Sequence, residues 1–195
     1  MFEYVGALHM HSTFSDGTGE VPDIAKFANE IGLDFIILTD HNTLRALHEG
    51  YEKWYGNTLL LVGCEINDKE NKNHYLAFGI NEAFSTRTPA KKYVAKVKEL
   101  GGIGFLAHPH EKRQHKEHPA YPWTEWDTED FTGIEIWNHM SEWVENLTEE
   151  NKDSIGDDPA RITDIWYGGG YINVEFDMNL PNTHKHRVNL VKNTT

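Results

Sequence analysis

Two histidines and an aspartate stand close together near the start of the sequence, in the stretch LHMHSTFSDGTG. His9 and His11 follow the apolar run YVGAL, and Asp16 comes five positions after the second histidine. Alternate side chains of a strand point to the same face, so the two imidazoles would project together. Imidazole and carboxylate groups that converge are suitable ligands for zinc, manganese or iron. The stretch therefore indicates either a metal site or two ordinary polar residues at the end of a strand.

Residues of the same kind recur at one end of several later apolar segments. These residues are Asp40 and His41 in LTDHN, Glu65 in GCEI, His74 in HYLAFG, and His108 and His110 in LAHPH. A single histidine at a strand end is usually an ordinary hydrogen-bonded residue, but chance would scatter such residues over both ends of the strands. Their recurrence at one end favours a shared metal centre. No set of cysteines accompanies them, which argues against a structural zinc site.

Short apolar segments alternate with helical patterns along most of the chain. The predicted strands cover 4–8, 35–39, 59–63, 74–79, 102–107 and 133–137, and the predicted helices lie near 22–31, 44–51, 88–100 and 140–147. Strands that alternate with helices usually pair in parallel through right-handed crossovers, so the pattern predicts an α/β sheet or barrel. Functional residues in such folds collect at the carboxyl ends of the strands. The buried face predicted for the first helix contains Ile24, Phe27, Ala28 and Ile31.

The pattern weakens after about residue 151. A short helix that starts at Asp158 and Pro159 and a last strand over 171–176 are predicted there, followed by a polar tail. We place no domain boundary there. We therefore predict a single domain over 1–195, with its core motifs in 5–140 and an atypical C-terminal segment in 151–195.

Composition limits the classes of function. The sequence contains 31 acidic and 18 basic residues, for a net charge of −13, which argues against binding to a nucleic-acid duplex because that requires a basic surface. Cys64 is the only cysteine, so no internal disulfide forms, and its apolar neighbours indicate a buried thiol in a reducing compartment. No secretion signal is evident, and no apolar run reaches the roughly 20 residues of a membrane helix. These features predict a cytoplasmic protein with no membrane partner.

Five of these motifs resemble, in order and spacing, those of the PHP (polymerase and histidinol phosphatase) family. They are LHMHSTFSDG, LTDHN, GCEI, HYLAFG and LAHPH, and the resemblance covers roughly residues 5–140. Within the family, the sequence is most similar to the small bacterial phosphoesterases. The resemblance implies an α/β fold, a distorted seven-stranded β/α barrel related to the TIM barrel, with an atypical or incomplete C-terminal end. It also implies a centre of two or three divalent metal ions that hydrolyses phosphate esters.

The resemblance assigns a role to most of the motif residues. By this assignment, His9 and His11 bind a first metal ion. Glu65 bridges it to a second ion, which His74 and His108 complete.

The remaining motif residues have roles on the other side of the implied centre. Asp16 and His41 hold a third ion. Asp40 orients a ligand rather than binding metal itself, since orienting carboxylates commonly accompany metal histidines.

The sequence departs from the family towards its C-terminal end. Members usually close the site with an aspartate-x-histidine pair after the last strand, and this pair is missing. Asp177 in VEFDMN stands at the aspartate position, but Asn179 takes the histidine position, so His184 or His186 is an alternative ligand. If this end is simply diverged, the metals lack ligands and turnover is weakened or abolished.

The segment beside the last of these motifs supplies candidate catalytic groups. Residues 108–119 concentrate basic side chains in an acidic protein, and Arg113 and His110 would grip a phosphate there unless the loop is merely solvated. His108 or His110 would protonate the leaving group. The main hypothesis is a phosphoesterase that attacks a small phosphate monoester, diester or nucleotide with a hydroxide activated by manganese, zinc or iron. The alternatives are a catalytically impaired metal-binding domain with a structural or interaction role, and a metal-assisted hydrolase of an amide or another bond.

Overall fold

A computed structural model describes residues 3–112, 119–136, 138 and 141, together with the main chain of 160–168 and 171–178. The helices are α1 (Val21–Glu30), α2 (Arg45–His48) and α3 (Ala90–Glu99). The strands are β1 (Gly6–Ala7), β2 (Phe35–Leu38), β3 (Lys53–Tyr55), β4 (Thr58–Val62), β5 (Cys64–Ile66), β6 (Tyr75–Phe78), β7 (Ile103–Leu106), β8 (Gly133–Ile134), β9 (Ala160–Gly168) and β10 (Tyr171–Met178). The first and third predicted helices are confirmed, and the second, predicted over 44–51, is confirmed only over the four residues of α2. The one predicted over 140–147 lies largely outside the described residues. None of the helices in these ranges is long and apolar enough to cross a lipid bilayer.

Strands β1 to β8 form two four-stranded sheets, and with the helices they make a mixed α/β fold. The first sheet has the order β1-β2-β4-β3, in which β1, β2 and β4 are parallel and β3 is antiparallel to β4. The second has the order β5-β6-β7-β8, in which β6 is antiparallel to both neighbours and β7 and β8 are parallel. The described residues show these two sheets rather than a closed barrel, so the seven-stranded barrel stays a prediction.

The chain passes from the first sheet to the second at Gly63, between β4 and β5. The amide of Gly63 donates a hydrogen bond to the carbonyl of Leu38 at 2.7 Å. A Cβ atom at this position would lie 2.7 Å from the carbonyl oxygen of Ala77, so only glycine fits so close to the neighbouring backbone. A parallel bridge between His41 and Glu65 continues the line of β2 past this joint. Both sheets therefore meet at Glu65.

The prediction that the strands pair in parallel is wrong at β6. Only the short segment 67–74 joins β5 to β6, and a parallel crossover requires a dozen or more residues. Strand β6 therefore returns antiparallel to β5. Because Tyr75 pairs with Leu106, the beginning of β6 lies beside the end of β7. A residue that precedes β6 thus lies at the same edge as residues that follow β7.

The predicted buried face of helix α1 is only partly confirmed. The helix buries Val21, Ala25 and Ala28, and Ile24 packs partly buried against the core, whereas Phe27 and Ile31 are exposed. The prediction is wrong for Phe27 and Ile31 because the buried side of the helix is shifted towards Val21 and Ala25. The largest fully buried side chains of the core include Tyr75, Tyr93, Ile36, Leu38, Leu44 and Leu60.

Strands β9 and β10 pair antiparallel in a two-stranded sheet of their own. The helix predicted from Asp158 is wrong, because residues 160–168 form β9. The β-branched and aromatic residues of this segment favour a strand, and β10 pairs along its whole length. The strand predicted over 171–176 is confirmed by β10. The single domain over 1–195 stays a prediction.

Candidate metal centre

Glu65 lies at the centre of a cluster of histidines where the two sheets meet. Its side chain on β5 is almost completely buried, two residues after the joint at Gly63. Several imidazoles surround its carboxylate, each with a ring nitrogen within 3.5 Å of one of its oxygens. They belong to His9, His11, His41, His74 and His108. The fold therefore brings together the histidines that the sequence predicts as metal ligands.

Three imidazoles face the oxygen Oε2 of Glu65. Nε2 of His11 lies 2.8 Å from this oxygen, Nε2 of His9 lies 3.0 Å from it, and Nδ1 of His41 lies 3.5 Å from it. His9 and His11 follow β1, and the parallel pairing of β1 with β2 carries them to the carboxyl edge of the first sheet. Their rings are stacked with centroids 5.3 Å apart, so the two-residue spacing does place both on one side.

Two imidazoles face the other oxygen, Oε1. Nδ1 of His74 lies 2.8 Å from it and Nε2 of His108 lies 3.2 Å from it. His74 precedes β6 and His108 follows β7, and their antiparallel pairing sets these positions side by side, with the amide of Ala107 donating to the carbonyl of His74 at 2.9 Å. Glu65 thus divides its neighbours between its two oxygens, which is the arrangement needed by a carboxylate that bridges two cations.

Asp16 extends the cluster towards solvent. Its Oδ1 lies 2.6 Å from Nδ1 of His11, and its Oδ2 lies 3.5 Å from Nε2 of His41. Within the described ranges, three groups of histidine and acidic side chains are close enough to hold a metal ion. They are His9, His11 and Glu65; His11, Asp16 and His41; and His41, Glu65 and His74.

Asp40 is hydrogen-bonded to the loop that contains His11 and Asp16. Its buried carboxylate accepts hydrogen bonds from the amide and the hydroxyl of Ser12, both at 2.7 Å, and from the hydroxyl of Ser15 at 2.7 Å. These bonds connect the end of β2 to the loop after β1. Asp40 therefore influences the imidazoles through this loop.

Glu135 also joins the cluster, although it is not among the predicted site residues. Its Oε1 lies 2.9 Å from Nδ1 of His9, and its Oε2 accepts a hydrogen bond from the amide of His108 at 2.7 Å. Nδ2 of Asn138 donates to the same carboxylate at 3.2 Å. A sequence signal was present, since Glu135 follows a short apolar strand just as His9 and His108 do. The strand predicted over 133–137 places Glu135 inside the strand, whereas the actual strand ends at Ile134 and Glu135 follows it.

The charges of the cluster stabilise one another. Burial lowers the pKa of His9, but Glu65 and Glu135 outweigh burial and raise this pKa to about 10. Burial raises the pKa of Glu65, yet the surrounding imidazoles hold it well below its usual range. His41 differs, because burial and two neighbouring imidazoles lower its pKa despite the proximity of Glu65. The cluster therefore holds a carboxylate that stays ionised although it is buried.

The donor set fits divalent metal ions. Imidazole nitrogens and carboxylate oxygens suit zinc, manganese and iron. Nδ1 of His41 is buried and has no hydrogen-bond partner among the described residues, whereas buried polar atoms normally have one, so a cation would satisfy it. Cys64 is a buried free thiol, as predicted, and burial raises its pKa to about 12, which disfavours the thiolate that a metal would need.

The other predicted site residues are not placed in this cluster by the described structure. His110 is exposed and its ring stacks on Trp126, with centroids 5.0 Å apart. The main chain of Asp177 lies on β10, and its side chain is outside what the structure describes. Arg113, His184 and His186 also lie outside the described residues. The roles of all these residues stay predictions.

The fold and the cluster define a class of protein, a mixed α/β protein whose imidazoles and carboxylates gather at a joint between two sheets. The sequence model of the PHP domain family matches residues 7–118, more than half of the chain and the range that contains Glu65 and all the imidazoles around it. The chain belongs to the PHP family, which confirms the resemblance of its motifs. The model of a second family, the NigD-like C-terminal β-sandwich domain, matches residues 143–195.

Individual proteins with similar sequence or structure cover different shares of the chain. An uncharacterized protein of Methanocaldococcus jannaschii is 28% identical over 116 residues, which are 53% of this chain and 66% of that protein. The chain thus spans slightly less than two thirds of this relative. A candidate metal-dependent phosphoesterase from Bifidobacterium adolescentis has a crystal structure with a TM-score of 0.52 and 17% identity, covering 72% of this chain and 82% of that one. At this identity the likeness shows the fold alone.

A further solved structure is that of a two-domain protein from Bacteroides vulgatus that contains a predicted PHP-like metal-dependent phosphoesterase. It matches with a TM-score of 0.44 and 24% identity, covering 63% of this chain and 39% of that one.

Proposed function

We propose that this chain is a metal-dependent phosphoesterase. The observation that carries the proposal is the division of the imidazoles between the two oxygens of Glu65, because such a carboxylate would hold two cations side by side. Adjacent pairs of cations recur in enzymes that hydrolyse phosphate esters. Membership of the PHP family supports the same activity. The protein of similar fold from B. adolescentis is described as a candidate metal-dependent phosphoesterase.

The proposed ligand sets are those that the family resemblance implies, and the first of them coincides with a group of the cluster. The first ion would be held by His9, His11 and Glu65, the second by Glu65, His74 and His108, and a third by Asp16 and His41. Asp177 is proposed as a further ligand. When bound, manganese, zinc or iron would acidify a coordinated water and offset the negative charge that builds on the phosphoryl group.

Side chains around the ligands would orient them and handle the leaving group. The ring of Tyr121 stacks on His74, with centroids 5.2 Å apart and an interplanar angle of 14°, which restricts rotation of the imidazole. His110, two positions after His108, is proposed to protonate the leaving group. Arg113 is proposed to bind the phosphate, a role that suits the guanidinium geometry.

The proposed substrate is a small phosphate monoester or diester, or a nucleotide. The net charge of −13 would repel such an anion, unless bound cations reversed the local field. The proposal therefore predicts that binding of the substrate, as well as its hydrolysis, depends on metal.

Hydrolysis of an aryl phosphate with added Mn²⁺, combined with elemental analysis, tests the proposal. We expect turnover by the wild type that a chelator abolishes and that His9→Ala lowers by about 100-fold or more, since loss of a ligand weakens the site at least as much as loss of a ligand's partner. His48→Ala is the matched control, because His48 is exposed on α2 and does not belong to the cluster. Equal activity of the wild type and His9→Ala would contradict the proposal.

A second candidate is a metal-binding domain without turnover that has a structural or interaction role. The missing aspartate-x-histidine pair favours it, since Asn179 stands where the family has histidine. Stoichiometric metal without hydrolysis across a panel of phosphate esters would support this candidate. Turnover gained by Asn179→His would then attribute the lost activity to the missing ligand.

A further inference from the structure

We propose that Glu135 is a positioning residue of the metal centre, which fixes the donor nitrogen of His9 and the main chain of His108. This inference rests on the proposed metal ligands, but not on the hydrolysis of any ester. Through Glu135, β8 connects a ligand of the first proposed ion to a ligand of the second.

Glu135 reaches both ligands because of the register of the last parallel strand pair. Leu106 on β7 pairs with Ile134 on β8, and the amide of Glu135 donates to the carbonyl of Leu106 at 2.8 Å. This pairing sets Glu135 beside the residues that follow β7, of which His108 is the second. The Glu135 side chain is 12% exposed, so water competes only weakly for its hydrogen bonds.

The contact with His9 determines which ring nitrogen is available to a cation. An ionised carboxylate only accepts hydrogen bonds, so Nδ1 of His9, 2.9 Å from Oε1 of Glu135, carries the shared proton. Nε2 faces Oε2 of Glu65 at 3.0 Å, on the side of the other proposed ligands, so a cation bound there would replace the proton of Nε2 and leave Nδ1–H donating to Glu135. Histidines that bind metal commonly donate their second N–H to a carboxylate in this way, which fixes both the tautomer and the orientation of the ring.

The contact with His108 holds the backbone in an unfavourable conformation. His108 has a φ of 30°, in the positive range that residues other than glycine rarely adopt. Its amide donates to Oε2 of Glu135 at 2.7 Å, which stabilises the conformation that brings Nε2 of the ring to 3.2 Å from Glu65. The carboxylate of Glu135 thus orients His9, which faces Oε2 of Glu65, and His108, which faces Oε1 of Glu65.

The variant Glu135→Gln distinguishes a residue that positions the two histidines from a residue that only fills space. Glu135 accepts hydrogen bonds at both oxygens, whereas a carboxamide of similar shape accepts at one end and donates at the other. The glutamine therefore loses either the bond from the His108 amide or the bond from Nδ1 of His9. In the second case the proton moves to Nε2, the nitrogen that the metal needs. A residue that only filled space would tolerate the exchange.

Zinc affinity, measured by competition with a chromophoric chelator, tests the proposal without a substrate. We expect Glu135→Gln to weaken Zn²⁺ binding by about 10–100-fold, the usual effect of losing the partner of a metal histidine. Glu52→Gln is the matched control, because Glu52 also accepts a backbone amide, that of Val62 at 2.9 Å, and does not belong to the cluster. Wild-type affinity in Glu135→Gln, or a wild-type protein that binds no zinc, would overturn the proposal.

Nitrogen-15 NMR of the imidazole rings provides a readout that a purely structural role would leave unchanged. In the zinc-loaded wild type we expect His9 to show a protonated Nδ1 and a metal-bound Nε2. In zinc-loaded Glu135→Gln we expect the ring signals of His9 or His108 to change. Unchanged signals from both rings would contradict the positioning role.

Two further variants keep the test decisive if Glu135→Gln does not fold. Glu135→Asp retains two acceptor oxygens, so it should keep more zinc affinity than Glu135→Ala, and equal losses in the two would count against the proposal. An inactive wild type that still shows these zinc effects would refute the phosphoesterase function and leave the positioning role intact.

Discussion

Both oxygens of the Asp40 carboxylate bind Ser12, one through its main-chain amide and the other through its hydroxyl, each at 2.7 Å. Ser12 is completely buried and Asp40 is nearly so. Ser12 comes directly after His11 and begins the turn that leads to Asp16. The end of β2 therefore determines the position of the loop after β1, and with it two of the proposed metal ligands.

Asp40→Ala should destabilise the metal-free protein by about 1–3 kcal/mol, because it leaves the buried amide and hydroxyl of Ser12 without their partner. Ser15→Ala removes a single hydrogen bond to Asp40 and should cost about 0.5–1.5 kcal/mol. Urea unfolding of both variants in the presence of a chelator measures the difference. A greater loss of stability in Ser15→Ala than in Asp40→Ala would show that Asp40 does not hold this loop in place.

Replacement of Glu65 should remove more metal than replacement of Asp16. Glu65→Gln takes a charged oxygen from both ions that Glu65 is proposed to bridge, whereas Asp16→Asn affects only the third proposed ion. Elemental analysis should find Glu65→Gln nearly free of metal and Asp16→Asn short of a single equivalent. Each exchange preserves the size of the side chain, so both variants lose the carboxylate charge without leaving a cavity. Equal metal content in the two variants would contradict the proposal that Glu65 binds two ions.

Metal binding should release protons and should strengthen as the pH rises. Burial lowers the pKa of His9, but Glu65 and Glu135 together raise it to about 10, so at neutral pH a cation must displace a proton from this ring. The apparent affinity for Mn²⁺ should therefore increase as the pH approaches the pKa of His9. Calorimetric titration in two buffers with different heats of ionisation measures the released protons. Identical heats in both buffers would be the contrary result.

The metal-free protein should be most stable in mildly acidic solution. The pKa of His9 in the folded protein lies above its ordinary value of 6.5, so its ion pairs stabilise the fold fully below pH 6.5 and less as the pH rises towards 10. The pKa of Glu65 lies below its ordinary value of 4.5, so its contribution is present above pH 4.5 and is lost as the pH falls. Thermal unfolding with a chelator should give the highest Tm between about pH 4.5 and pH 6.5. A Tm that climbs steadily into alkaline solution would refute this expectation.

Tyr121→Ala should weaken metal binding through His74, on which the Tyr121 ring is stacked at 5.2 Å. Contacts between aromatic rings contribute about 0.5–1.5 kcal/mol, so the loss in zinc affinity should reach up to about tenfold. Tyr121→Phe keeps the ring and should bind Zn²⁺ like the wild type. Chelator competition measures all three proteins. If the phenylalanine variant lost as much affinity as the alanine variant, the stacked ring would not be the cause.

The histidine cluster could be predicted from the sequence because its members follow a local rule. Each stands beside a short apolar segment, and the carboxyl ends of parallel strands in one sheet share an edge. His9, His11 and His41 meet at Glu65 for this reason.

The direction of strand pairing could not be predicted in the same way. His74 precedes its strand, and it reaches the cluster only because β6 runs antiparallel to its neighbours. Apolar segments have similar compositions in parallel and antiparallel strands, so composition does not reveal the direction in which a strand pairs with its neighbours. The same limit applies to α1, where hydrophobic periodicity defined a stripe that includes Phe27 and Ile31, but not which side of the helix meets the sheet.

The sequence by itself determined which residue types can bind metal and that His9, His11 and His41 follow the strands that precede them, since residue type and strand periodicity are local properties. Only the tertiary structure decided which atoms meet. It showed that Glu65 presents a separate oxygen to each group of imidazoles, and that Glu135 reaches His9 from 126 positions away. Such contacts depend on strand order and register, which join segments so distant in the chain that no local pattern connects them.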